Sequence, residues 1–107
     1  MDGEPLTAID LCAGLGGLSE GMRRAGFVVQ GVEADGDACM SHRRNVGPCE
    51  QADILRWSPP RRAHLVAGGI PCQPFSGAGL RNGCDDPRYL APALARIAAE
   101  ACAEAVM

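Results

Sequence analysis

An apolar run from Leu6 to Cys12 passes directly into Gly14, Gly16 and Gly17, and this junction restricts the possible folds more than any other feature of the chain. A short apolar segment closed at once by glycines reads as a buried strand entering a tight turn. Leu18, Met22 and Ala25 then recur at helical spacing, with Gly26 placed to end the helix. The run Phe27-Val28-Val29-Gln30-Gly31-Val32 forms a second apolar strand closing on Glu33, and Asp35 stands as the N-cap of a helix through about Asn45. Cys49 to Ala52 is a candidate third strand. Trp57 to Arg62, with two prolines, reads as a loop, and Ala63 to Ala67 as a further strand ahead of Gly68 and Gly69. Alternation of this kind argues for an α/β architecture, a parallel sheet with helices on its faces.

Beyond Pro71 the stretch from Gln73 to Asp85 is rich in Gly, Ser and Asn and lacks either period, which predicts a long, mobile, function-bearing loop. Asp86 and Pro87 then open a helix whose apolar face is Leu90, Leu94, Ile97 and Ala101. Ala105-Val106-Met107 starts a last strand, giving about five parallel strands with the final one unfinished and an open edge that favours pairing or aggregation. Residues 1–107 read as one unit, without repeats or an interdomain linker.

Composition narrows the function classes. With 47% hydrophobic and 21% charged residues the 107-residue chain is not a disordered polypeptide. Its net charge of −3 lacks the basic footprint of a nucleic-acid binder, so any DNA contact is local or supplied by other sequence. The 6 cysteines include no Cys-x-x-Cys pair, and His42 and His64 are not at zinc-ligand intervals from them, so no metal site is expected. No apolar run reaches the roughly 20 residues that span a bilayer, and the acidic N-terminus is unlike a signal peptide. The expectation is a cytoplasmic protein with reduced thiols and no membrane partner.

Three places carry chemistry. The turn from Asp10 to Gly17 lets backbone approach a ligand closely and ends on a helix N-terminus with N–H donors to offer. It departs from the strict dinucleotide fingerprint, because Ser19 occupies the third glycine position, and by itself a plain tight turn explains it equally well. Glu33 follows at roughly the 20-residue interval at which doubly wound folds place an acid on ribose hydroxyls. Asp53, past the third strand, could accept from an adenine amino group, although alone it reads as a loop residue. Cys72, between Pro71 and Gln73 at a strand's end, is a nucleophile candidate; the commoner reading of cysteine as a small buried hydrophobe fits Cys39 and Cys102, on predicted helices, much better. His42, Arg43 and Arg44 read as a solvated helix face. Arg61, Arg62, Arg81 and Arg88 read as surface charges, of which Arg81 and Arg88 lie near the loop where phosphate contact is plausible.

Taken in order, Asp10-Leu11-Cys12-Ala13-Gly14-Leu15-Gly16-Gly17, Glu33-Ala34-Asp35, Asp53-Ile54 and Pro71-Cys72-Gln73-Pro74-Phe75-Ser76 resemble the C5-cytosine DNA methyltransferase family. Asp86-Pro87-Arg88 and Ala95-Arg96-Ile97 are similar to the family's segment after its catalytic loop, so the likeness runs from about Thr7 to Met107. The resemblance implies a Rossmann-like, S-adenosylmethionine-dependent methyltransferase fold with a doubly wound parallel sheet, here truncated. It implies a cofactor site of Asp10, Leu11, Cys12, Ala13, Gly14, Gly16, Gly17, Glu33, Ala34, Asp53, Ile54 and Pro71, with the glycine turn on the methionine end, Glu33 on the ribose and Asp53 on the adenine. Cys72 is then the nucleophile that attacks C6 of a flipped-out cytosine, with Gln73, Ser76 and Arg88 as substrate contacts and double-stranded DNA as partner.

Where the family has Phe against the adenine this sequence has Cys12, and where it has a large apolar residue on the other side this sequence has Ala34, so both walls of the purine site are thinned. The chain stops just before the family's Glu-Asn-Val segment and lacks the target-recognition domain. The expected entity is a gene fragment or one half of a split enzyme completed by a second polypeptide, inactive alone. An RNA cytosine-C5 methyltransferase and a non-catalytic S-adenosylmethionine-binding or interaction module, with Cys72 a spectator, are the alternatives.

Overall fold

The computed structural model describes residues 5–14, 16–68 and 87–107, with side chains from residue 91 onward in the last span. The elements are β1 (Leu6–Leu11), α1 (Gly17–Arg24), β2 (Phe27–Glu33), α2 (Gly36–Asn45), β3 (Cys49–Gln51), β4 (Leu65–Gly68), α3 (Pro87–Glu100) and β5 (Ala105–Val106). The strands form one parallel sheet in the order β3-β2-β1-β4-β5. β1 is its centre, with Leu6 opposite Phe27 and Leu11 opposite Val32 on one side, and Ala8 opposite Leu65 and Leu11 opposite Gly68 on the other.

Parallel neighbours are joined by right-handed crossovers, so the direction of travel along the sheet decides which face a helix covers. From β1 to β2 to β3 the chain moves one way and lays α1 and α2 on one face. From β4 to β5 it moves the other way and lays α3 on the opposite face. The cores follow this division: Met22 of α1 packs with Ala8, Val29, Leu65 and Ala67, while Ala93, Ile97 and Ala101 pack with Ile9, Leu11, Val32 and Val66. A strand covered on both faces needs apolar residues at most successive positions, which is why β1 reads as a mostly apolar run despite Asp10.

The β3–β4 connection contains no helix. Trp57 fills that place, buried in the same core as Ile9 and Ile97, with its indole Nε1 donating to Glu50 Oε1 at 2.9 Å. Asp35 caps α2 as expected, its side chain accepting from the Ala38 N–H at 3.0 Å. α1 runs over Gly17–Arg24, one residue earlier at each end than its apolar spacing suggests, and Gly26 follows at φ 106°. β4 begins at Leu65 rather than Ala63: the Ala63 N–H leaves the sheet and donates to Ala101 O at 3.1 Å in the turn after α3, while the His64 N–H already reaches Thr7 O of β1 at 3.0 Å. The expected loop from Gln73 to Asp85 and the cap at Asp86 lie outside the described residues. Among the described residues no helix is long and apolar enough to cross a membrane.

Candidate cofactor and active site

The direction of winding reverses between β1 and β4, and in open α/β sheets ligands bind beyond the carboxyl ends of the strands at such a point. Four strand ends meet there. β1 runs into the glycine turn, β2 ends on Glu33, β3 is followed by Asp53, and β4 ends at Gly68 ahead of the segment that contains Cys72.

The turn is built from left-handed residues: Cys12 (φ 58°), Gly14 (φ 56°) and Gly16 (φ 107°). A non-glycine residue there costs roughly 1–2 kcal/mol and points to a conformation imposed by its surroundings. Ala13 N–H donates to Val32 O at 3.0 Å and Gly16 N–H to Ala13 O at 3.1 Å, folding the turn back over the sheet end. At Gly16 space alone demands glycine, since a Cβ would lie 2.5 Å from Val46 Cγ2.

Glu33 grips the turn from the neighbouring strand. Its Oε1 accepts the Gly14 N–H at 2.7 Å and its Oε2 accepts the Asp35 N–H at 2.9 Å. The Ala52 N–H reaches back to Glu33 O at 3.0 Å, carrying β3 into line so that Asp53 follows beside it. Asp53 sits in a tight turn, its Oδ1 accepting from Leu55 N at 3.0 Å and its carbonyl from Arg56 N at 2.9 Å. The arrangement sets two partly exposed carboxylates and a backbone turn at the carboxyl end of the sheet, a donor and acceptor set suited to hydroxyl and amino groups.

Beneath the turn lies a buried polar layer. Asp10, 1% exposed, accepts from the Ser19 hydroxyl at 2.6 Å through Oδ2, while its Oδ1 has no partner among the described residues. Burial pushes its carboxyl above the usual carboxylate range, against the opposing pull of the Ser19 hydrogen bond and of His42. Leu11 and Ala13 are buried, Leu11 in the α3-side core and Ala13 against Cys39 and Cys49, so their backbones and not their side chains face the turn. Gly17 opens α1 with nothing near its missing Cβ, and Ala34 is exposed.

His42 overturns the solvated-face expectation. It is 1% exposed, with Nδ1 3.4 Å from Gly14 O, and its ring lies so close to Gly31 that a Cβ there would meet Nε2 at 3.1 Å. Two signals in the sequence pointed this way: His42 shares a helix face with buried Cys39, and a glycine inside a strand marks close approach by another group. Arg43 and Arg44 are exposed as expected, and the Arg43 Nε also donates to Cys49 O at 2.6 Å. Cys39 is buried as expected. Cys102 is not; it is exposed at φ 54° in the turn beyond α3, because the helix stops at Glu100. Burial, reinforced by Cys39, pushes the Cys49 thiol up to about 12.

Pro71, Cys72, Gln73 and Ser76 lie outside the described residues, as does the side chain of Arg88. A cleft of about 550 Å³ lined by Thr7, His64, Cys102 and Glu104 opens at the amino ends of β1, β4 and β5, the opposite end of the sheet from the glycine turn.

The family model for C-5 cytosine-specific DNA methylases matches residues 6–107. The chain belongs to that family. Among its methylase relatives, the type II methyltransferase M.NgoMIV of Neisseria gonorrhoeae is 37% identical over 106 residues, 94% of this chain and 34% of the relative. The type II methyltransferase M.NaeI of Lentzea aerocolonigenes is 36% identical over 95 residues, 81% of this chain and 23% of the relative. A DNA modification methyltransferase encoded within an E. coli prophage superposes with a TM-score of 0.69 at 31% identity, over 92% of this chain and 30% of that one. The fold is therefore the Rossmann-like methyltransferase fold, and the chain spans about a third or less of the length of these methylases.

Proposed function

We propose that this chain supplies the cofactor half and the nucleophile of an enzyme that methylates cytosine at C5 in duplex DNA, with S-adenosylmethionine as methyl donor. The observation that carries the reading is the Glu33 carboxylate at the switch point of the sheet, bonded to Gly14 of the glycine turn, with Asp53 after the next strand. Family membership supports it, and so does the position of Cys72 in sequence soon after β4.

The residues present fit that cofactor. Each oxygen of Glu33 accepts one backbone N–H and keeps a further lone pair, as a pair of ribose hydroxyls requires. Asp53 Oδ1 has one backbone partner, which leaves the carboxylate capacity for an adenine amino group. The Asp10 Oδ1, buried beneath the turn without a partner among the described residues, leaves an acceptor under the place assigned to the methionine end.

When bound, S-adenosylmethionine supplies a methyl group on a positively charged sulfur. The covalent work belongs to Cys72. Its thiolate adds to C6 of the flipped-out cytosine, and the π pair released from C5=C6 makes C5 nucleophilic enough to take the methyl group. Loss of the C5 proton to a base then restores C5=C6 as the Sγ–C6 bond breaks, and Cys72 leaves as the thiolate it began as. An unperturbed thiol, with a pKa of about 8.5, is mostly protonated at neutral pH, so donors or positive charge brought by the substrate complex must favour the thiolate. Duplex DNA and the polypeptide carrying the remainder of the catalytic domain are the partners in this reading, in the cytoplasm.

Calorimetry with S-adenosylmethionine, followed by transfer of labelled methyl to cytosine-containing duplex, tests it with and without a complementing C-terminal segment. The expected result is cofactor binding, and transfer in the complemented mixture that is lost in Cys72→Ser. Binding without transfer in every mixture would favour a non-catalytic module, and transfer to RNA in preference to duplex would replace the substrate.

A further inference from the structure

Arg96 of α3 reaches across to the β3–β4 connection with an unusually complete set of bonds. Its Nη2 donates to two backbone carbonyls, Ile54 O at 2.8 Å and Trp57 O at 2.7 Å. Its Nη1 donates to Glu100 Oε1 at 3.1 Å and to Ser58 Oγ at 3.4 Å. The two carbonyls belong to the turn that Asp53 opens, and that turn has no following helix to use them. A planar guanidinium can hold both at once, while Glu100, one helical turn on, fixes the guanidinium from its own helix.

The consequence falls on Asp53. Its side chain is aimed by the 53–57 turn, through Leu55 N on Oδ1 and Arg56 N on its carbonyl. Nothing of regular secondary structure holds this turn: β3 ends at Gln51 and β4 begins at Leu65. Its anchors are Ile54 and Trp57 in the core and the Arg96 bonds to the carbonyls of those same two residues.

We propose that Arg96 is a positioning residue for the adenine end of the cofactor site, acting through the 53–57 turn to hold the Asp53 carboxylate where it meets the purine amino group. The inference rests on Asp53 being the adenine contact. Arg96 touches no ligand itself. It also joins the helix that follows the Cys72 segment to the purine pocket, so the nucleophile's side of the site and the cofactor's share one tether.

The test compares two ligands on the full chain by calorimetry: S-adenosylhomocysteine, and its analogue whose purine lacks the 6-amino group. Wild type is expected to prefer the amino ligand by about tenfold, the scale of one hydrogen bond to a charged group. In Arg96→Met the preference should fall below about threefold, with the deaminated analogue bound within about twofold of wild type, because only the amino contact is mispositioned. Arg96→Lys keeps the charge but not the fork, so it should give an intermediate ratio, and it serves if the Met variant fails to fold. A purely structural role would weaken both ligands in parallel and leave the ratio unchanged, which overturns the proposal while sparing the cofactor site. Wild type that binds both ligands equally removes Asp53 as the adenine contact and the proposal with it. Wild type that binds neither overturns the cofactor reading itself.

Discussion

The Gly14 N–H donates to Glu33 Oε1 at 2.7 Å, so the glycine turn after β1 is clasped by the residue that ends β2. The other oxygen of the same carboxylate holds the Asp35 N–H at 2.9 Å, just ahead of α2. Glu33 is thus a structural bolt as well as a ligand candidate. Glu33→Ala should cost about 1.5–3 kcal/mol by urea denaturation, the range for hydrogen bonds to a charged group. Glu33→Gln keeps one acceptor oxygen and should cost clearly less. Equal losses in the two variants would mean that the bonds to Gly14 and Asp35 carry little.

Gly16 and Gly17 are adjacent but not equivalent. Alanine at Gly16 meets a left-handed backbone and Val46 Cγ2 at 2.5 Å, so Gly16→Ala should destabilise by about 2–3 kcal/mol. Gly17 opens α1 into empty space, and Gly17→Ala should be neutral or stabilising by up to about 1 kcal/mol. Thermal melts of the two variants in one buffer decide the matter by their opposite signs.

Asp10 gives the fold a pH dependence of definite direction. Burial raises its carboxyl, and Ser19 and His42 offset only part of that. The folded chain therefore holds this proton more tightly than the unfolded one. The stabilisation is fully present below the unfolded value and is lost as pH rises through the raised folded value. Asp10→Asn removes the titration while keeping a carbonyl acceptor for Ser19. The stability of the variant relative to wild type should therefore improve from about pH 4 towards neutral, starting from the unperturbed carboxylate range. A difference that stays flat across that interval would contradict the assignment.

His42→Ala should cost about 2–3 kcal/mol, because it empties a buried site that packs on Gly14, Gly16 and Gly31. Arg44→Ala, two residues on and exposed, should fall within about 0.5 kcal/mol of wild type. Urea midpoints for the pair separate a buried wedge from a solvated charge.

These residues also mark what a linear reading can and cannot see. β1, β2 and α2 were legible because each carries a local signal, a mostly apolar run or a side-chain cap at Asp35. Glu33 was legible through its interval from the glycine turn. The place of Asp53 beside Glu33 was not legible by itself, since it depends on β3 lining up with β2, where the Ala52 N–H meets Glu33 O. His42 was misread as part of a basic, solvated stretch because its burial is decided by space above Gly31 on another strand. The start of β4 depends on a distant partner too: Ala63 continues the apolar run, yet its N–H bonds to Ala101 beyond α3.

Trp57 is the chain's single tryptophan, and it stands in for a helix between β3 and β4. Its indole is buried in the core and hydrogen-bonded to Glu50, and its carbonyl is held by Arg96. The molecule therefore carries its own optical gauge at the one crossover without regular structure. If that connection lifts before the sheet melts, the emission of this single fluorophore will shift to the red ahead of the loss of circular dichroism. The gap between the two curves would measure how independently the turn that carries Asp53 can open.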